Sequence, residues 1–287
     1  MNKKQLTFLL KIILTAVVLY YVFRKVDLKK IVSVLSDVHV GLFAVSFACY
    51  VFSKAIASYR LWHLYASIGV VLDKIYNLKL YWVGMFYNLF LPGGIGGDGY
   101  KVYLLKQAYP DIKTKQFVGA TFLDRLSGLA ALVCLALLSF STSTFTTYFR
   151  IPAFCPWMAA VVVFPAFFVF IHLLFKSFKK VFFTTSILSV AVQSVQAFSA
   201  YILLLAMGIA DQLWNYITLF LVSSVALVVP FFHGGIGARE FVFSEGAKIL
   251  EVQTEQALAY SFAFFIINLF ASAIGVAFMR QIKMPTE

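Results

Sequence analysis

The sequence has 287 residues, 62% of them hydrophobic and only 13% charged, with a net charge of +12 and a mean hydropathy of +0.89. Soluble domains run near half apolar and about a quarter charged, so a soluble fold could not hide this surface and lipid must cover much of it. The basic residues sit in short loops between apolar runs, where they orient spans and meet anionic headgroups; no nucleic-acid partner is expected.

Lys3 and Lys4 precede an apolar stretch from Leu6, as in a signal peptide, but Val22-Phe23-Arg24-Lys25 offers no small-residue cleavage site, and the stretch reads as a retained first span. Eight apolar segments follow one another: Leu6–Phe23, Val40–Ala57, Leu80–Leu91, Val118–Phe140, Pro152–Phe175, Ser186–Met207, Leu213–Pro230 and Ala257–Met279. A full helical span needs about 20 residues. The third segment is shorter and ends in Pro92-Gly93-Gly94; the seventh ends at Pro230, just before Gly234-Gly235-Ile236-Gly237. Between the first two segments, Leu28, Ile31, Val32, Leu35 and Val38 recur at helical spacing, which predicts an amphipathic helix in the interface. Tyr59, Trp62, Tyr65, Tyr76, Tyr81 and Trp82 gather at span ends like an aromatic belt. Cys49, Cys134 and Cys155 have neither metal spacing nor a disulfide pattern and read as packing residues.

Loop charge bears on topology. If every segment crosses, the N-terminal lysines and the loops carrying Lys101 to Lys115 and Lys176 to Lys180 fall on opposite faces, against the positive-inside rule. If segments three and seven re-enter, these loops and Arg280 become cytoplasmic, and Glu240, Glu245, Glu251 and Glu255 fall outside; Arg24, Lys25, Lys29 and Lys30 remain a misfit. The expected fold is therefore an all-α polytopic membrane protein in one domain over residues 1–287. It would have six spanning helices plus two re-entrant, glycine-broken helices, in an inverted repeat with halves 1–145 and 146–287.

The first break, Gly93-Gly94-Ile95-Gly96-Gly97-Asp98-Gly99, formally contains G-x-G-x-x-G, but no βαβ pattern surrounds it. Irregular backbone at membrane depth is tolerated where it is buried in protein or lines a polar cavity. Its free N–H groups would make an anion site, with Lys101 one turn on to pair with a phosphate. The second break carries His233 before it and Arg239 and Glu240 after Gly237: Arg239 suits phosphate, Glu240 would balance it or bind a proton, and His233 reads as structural. Asp124-Arg125 opens the fourth segment, as a cavity-facing pair or a local interfacial one. Tyr59-Arg60 reads as an interface anchor, and Gln193, Gln196 and Asn268 as interhelical hydrogen-bonding groups. No nucleophile elbow, paired-Cys spacing or P-loop is present, so no catalytic set, metal or cofactor is expected, and ATP-driven transport by this chain alone is not expected.

Taken in order, Leu91-Pro92-Gly93-Gly94-Ile95-Gly96-Gly97-Asp98 with Lys101-Val102-Tyr103, then Asp124-Arg125-Leu126, then Gly234-Gly235-Ile236-Gly237-Ala238-Arg239-Glu240 resemble the lysylphosphatidylglycerol synthase transmembrane (flippase-like) family along essentially the whole chain. Arg60 with Trp62, and Val26-Asp27-Leu28, also fit. The resemblance implies movement of anionic or aminoacylated lipids, or polyprenyl-linked sugars, between leaflets. The chain ends at Glu287, soon after its last segment, so aminoacyl-transferase activity is not expected. Phe232-His233 stand where the family usually has Ser-Pro before the second glycine pair, which leaves the headgroup preference open.

The expected function is a lipid translocator for an anionic phospholipid or polyprenyl-phosphate lipid in a cell membrane, taken as the bacterial inner membrane. Gly93, Gly94, Gly96, Gly97, Asp98, Lys101, Asp124, Arg125, Gly234, Gly235, Gly237, Arg239 and Glu240 would line the site. Membrane lipids are the expected partners, and a homodimer is left open. The alternative is a membrane-embedded lipid-modifying enzyme, or an accessory subunit of an envelope lipid or glycan pathway.

Overall fold

The computed structural model describes residues 33–90, 94–227 and 238–282. The expected first span lies outside these residues, and of the interfacial helix only the helical turn at 33–36 is described. All regular structure among the described residues is helical: α1 Val40–Ala66, α2 Lys74–Phe90, α3 Gly96–Ala108, α4 Thr114–Ser141, α5 Thr144–Tyr148, α6 Phe154–Leu174, a 3-10 turn Lys176–Val181, α7 Phe182–Ala206, α8 Leu213–Ala226, α9 Ala238–Ile249 and α10 Thr254–Phe278. Helices satisfy every backbone hydrogen bond within the segment, which lipid demands. Among the described residues, five stretches are long and apolar enough to cross a membrane: α1, α4, α6, Lys176–Ala206 and α10. The expected short segments are short as helices too, α2 at 17 residues and α8 at 14. Their breaks are followed by α3 (13 residues) and α9 (12 residues).

The chain forms two compact units. The described residues of one are 50–90, 94–131, 161–195 and 268–282. Its core brings Leu61, Leu64 and Tyr65 of α1 against Leu80 and Val83 of α2, Leu105 of α3, Phe117 and Leu123 of α4 and Phe182 of α7. Tyr65 and Trp82, expected in the interfacial belt, are core residues instead. The Tyr65 hydroxyl is satisfied by Thr121 at 3.2 Å, which lets its ring fill the interior. Tyr59 and Trp62 do stack at the end of α1, with the Lys74 ammonium 5.4 and 5.3 Å from their rings. Gln193 donates to the Gly128 carbonyl at 3.1 Å, and Asn268 accepts from the Tyr50 hydroxyl at 2.7 Å, both between helices as expected.

The described residues of the other unit are 33–49, 132–160, 196–227 and 238–267. Here α1 and α7 are joined by a reciprocal serine pair: Ser46 donates to the Ser199 carbonyl at 2.8 Å and Ser199 to the Ser46 carbonyl at 2.7 Å. Small hydroxyl residues let helix backbones approach closely within a membrane domain. Tyr260 of α10 donates to the Ala200 carbonyl at 3.0 Å, its ring edge-on to Phe243 of α9. Cys49 and Cys134 are half-buried, Cys155 is exposed, and all three are free thiols.

Candidate functional site

The glycine-rich segment breaks the helix more narrowly than its composition predicts. Gly94 has φ +67°, a conformation that favours glycine, and the helix resumes at Gly96. Gly96, Gly97 and Gly99 are therefore helical rather than turn residues. Gly97 is demanded by packing: a Cβ there would run into the Gly84 backbone of α2. The α2–α3 crossing is thus a glycine-on-glycine contact.

That close crossing positions Lys101. Its stem lies along Gly84, where an added Cβ would come within 3.0 Å of the Lys101 Cε. Its ammonium reaches the Asp98 Oδ1 at 2.8 Å and sits 5.3 Å from the Tyr81 ring. Asp98 also accepts from the Nε of Arg125, and the Arg125 Nη2 donates to the Gly94 carbonyl at 2.6 Å. Arg125 therefore clamps the break to α4. Burial pushes the Asp98 carboxyl up, but the flanking Lys101 and Arg125 outweigh it and hold it below the usual aspartate range. Two cations and one anion leave the cluster with one net positive charge. Lys101 is buried, whereas the Arg125 side chain is 46% exposed and is the member a ligand can reach.

The expected cradle of free amides is smaller than the sequence suggested. Asn88 of α2, which sequence reasoning missed, accepts the Gly97 N–H at 2.9 Å and so caps α3 from the preceding helix. Gly99 N–H is bonded to the Ile95 carbonyl at 3.0 Å.

Asp124 and Arg125 do not act together. About three turns into α4, the two side chains diverge: Arg125 goes to Asp98, whereas Asp124 accepts from the Arg60 Nε at 2.8 Å. Asp124, expected to line the site, is instead one half of this buried pair, with its charge already balanced. Arg60, read as an interface anchor, is buried in α1, and its Nη1 donates to Ser189 of α7 at 3.0 Å. The sequence signal for Arg60 was partial: an acid inside an apolar run needs a cation, but Arg60 stands three residues beyond the Val40–Ala57 segment.

In the other unit, Arg239 and Glu240 open α9, and both are buried. The Arg239 guanidinium carbon lies 5.5, 5.7 and 5.0 Å from the rings of Phe220, Phe243 and Phe264, a cation held by aromatic faces from α8, α9 and α10. The Ser261 hydroxyl approaches the Glu240 carboxylate at 3.4 Å. Gly93, His233, Gly234, Gly235 and Gly237 lie outside the described residues. Among the described residues, no three His, Cys, Asp or Glu side chains gather as metal ligands.

Long apolar helices, a glycine break beside fixed cations and the order of the motifs agree with one further observation. The sequence matches the family described as the lysylphosphatidylglycerol synthase TM region over residues 8–275. The chain belongs to that family. Comparison with curated proteins finds no match. As a lysylphosphatidylglycerol synthase TM-region protein it is a multi-pass membrane protein with a membrane-lipid function. Its break-side cluster of Asp98, Lys101 and Arg125 places a net positive charge among helices of that family.

Proposed function

We propose that this chain is a flippase-like carrier that moves an anionic phospholipid or a polyprenyl-phosphate lipid between the leaflets of a bacterial cell membrane, and that it does not itself modify the lipid. The observation that carries this reading is Arg125: half exposed, anchored on two edges by Asp98 and Gly94, and next to a helix break. A guanidinium so held presents its remaining donors in a fixed fork, the geometry that suits phosphate. Asp98 then serves as the resident counter-charge with which a headgroup phosphate competes.

The chain order supports a repeat. Long helix, short helix, glycine break, short helix, long helix describes both α1–α4 and α7–α10. Lengths of 27, 17, 13 and 28 residues are matched by 25, 14, 12 and 25. We read α2–α3 and α8–α9 as re-entrant pairs and the remaining segments as six crossings, with the repeats inverted, as in carriers built around broken helices.

Proteoliposomes carrying labelled phosphatidylglycerol or polyprenyl phosphate in one leaflet test the reading. Protein should accelerate equilibration, and Arg125→Ala should slow it about tenfold, the scale of one lost charge-assisted hydrogen bond. Equal rates with and without protein for both lipids would remove the translocator reading. A new lipid species in the mass spectrum would replace it with an enzyme.

A further inference from the structure

The glycines of the first break have different physical reasons. Gly94 is required by its positive φ and Gly97 by the Gly84 backbone. Gly99 has neither reason: it is helical and exposed, and a Cβ added to it would meet nothing within 4 Å. Glycine is the poorest helix former after proline, so the fold alone favours another residue here.

Gly99 instead floors a shallow recess of about 320 Å³, whose other walls are Gly96, Tyr87, Tyr100 and Tyr103. Four of these residues follow the i, i+3, i+4, i+7 rule and form one stripe of α3. The opposite stripe, Gly97, Lys101, Leu104 and Leu105, is buried. Tyr87 closes the recess from α2, its ring edge-on to Tyr100 at 4.8 Å between centroids. The recess starts in the first turn of α3, directly after the Gly94 carbonyl that Arg125 holds. Apart from backbone and tyrosine hydroxyls its walls are apolar: ring faces and bare glycine Cα atoms.

We propose that this recess seats one hydrocarbon chain of an anionic phospholipid whose phosphate is held by Arg125. The inference rests on the lipid-carrier reading and adds where the tail lies. The chain passes over Gly99 between Tyr87 and Tyr103, and the missing side chain lets it lie against the helix backbone. A phosphate at Arg125 has its tail tethered within reach of the recess, and the site's net positive charge selects an anionic headgroup over a zwitterionic one. Boundary lipid gathered by the basic loops would also favour anionic headgroups, but its label at this peptide would not depend on Gly99.

The full chain in nanodiscs is tested with two photoreactive probes, phosphatidylglycerol and phosphatidylcholine, each with a diazirine in the acyl chain, at equal mole fraction. The phosphatidylglycerol probe should label the peptide carrying Tyr100 and Tyr103 several-fold more than the phosphatidylcholine probe. Gly99→Ala should raise the melting temperature by about 2 °C through helix propensity while lowering that label. Gly99→Trp should abolish the label. Equal labelling by both probes, or labelling unchanged in Gly99→Ala, overturns the proposal. Leaflet exchange in the same preparation separates the two readings: selective label without exchange upholds the seat and removes the carrier, whereas exchange without label does the reverse.

Discussion

At the scale of single residues, the decisive group is Asp98, which joins Lys101 and Arg125 in one cluster. A carboxyl held below its ordinary range contributes stability that is complete above the ordinary aspartate pKa and is lost as pH falls through the lowered value. With Lys101 and Arg125 on either side, Asp98 acts as a resident counter-charge. The difference in melting temperature between wild type and Asp98→Asn should stay level from about pH 8 to about pH 5 and shrink only in more acid solution. Because Asp98→Asn also removes the resident competitor for Arg125, lipid phosphate should bind this variant more tightly, which a phosphatidylglycerol titration would show; weaker binding would make Asp98 part of the ligand's own contacts. Arg60 carries a different expectation. Arg60→Ala leaves Asp124 buried without its partner and should cost about 3–5 kcal/mol of stability, with Arg60→Ala/Asp124→Ala recovering part of the loss, both measured by thermal unfolding in detergent.

At the scale of elements, the α2–α3 corner shows what a sequence carries and where it stops. The clustered glycines, the short third segment and the charges beside it were legible, because turn formers and apolar run length are local properties. The width of the break was not. Gly96, Gly97 and Gly99 read as turn residues, yet all three are helical, and the reason for Gly97 lies in Gly84, on another helix. The cap from Asn88 and the Arg60–Asp124 pair were missed for the same reason: their partners are 9 and 64 residues away, and only the fold brings them together. The crossing makes its own prediction. Gly97→Ala places a methyl group against backbone that cannot rotate away and should destabilise by at least about 1–3 kcal/mol, the usual cost of overpacking. Gly99→Ala, two residues on, should do the opposite in the same melting assay.

At the scale of the whole molecule, the six-plus-two arrangement assigns a side of the membrane to each loop. In a cysteine-free background, single cysteines at Lys113 and Lys179 should be protected from an impermeant maleimide in intact cells, and those at Glu251 and Glu255 should react. The reverse pattern at either pair would dismantle the re-entrant reading. The proposed repeat also sets two opposite charges in register. Counted from Gly-Gly-Ile-Gly, Asp98 and Arg239 occupy the same position. Asp98 is met by side chains of α2, α3 and α4, and Arg239 by those of α8, α9 and α10. The three corresponding helices thus bring two cations and an amide to an anion in one case, and aromatic faces to a cation in the other.

The divergence of Asp124 and Arg125 has a mechanical consequence. Neighbouring residues on a helix point about 100° apart, so the two side chains brace α4 like guy-wires set at an angle, one tied to α1 and the other to the start of α3. Turning the helix about its own axis would slacken one tie as it strained the other. While both ties hold, α4 cannot roll and α1, α3 and α4 move as a single strut; a phosphate that draws Arg125 from Asp98 loosens one tie and frees that rotation.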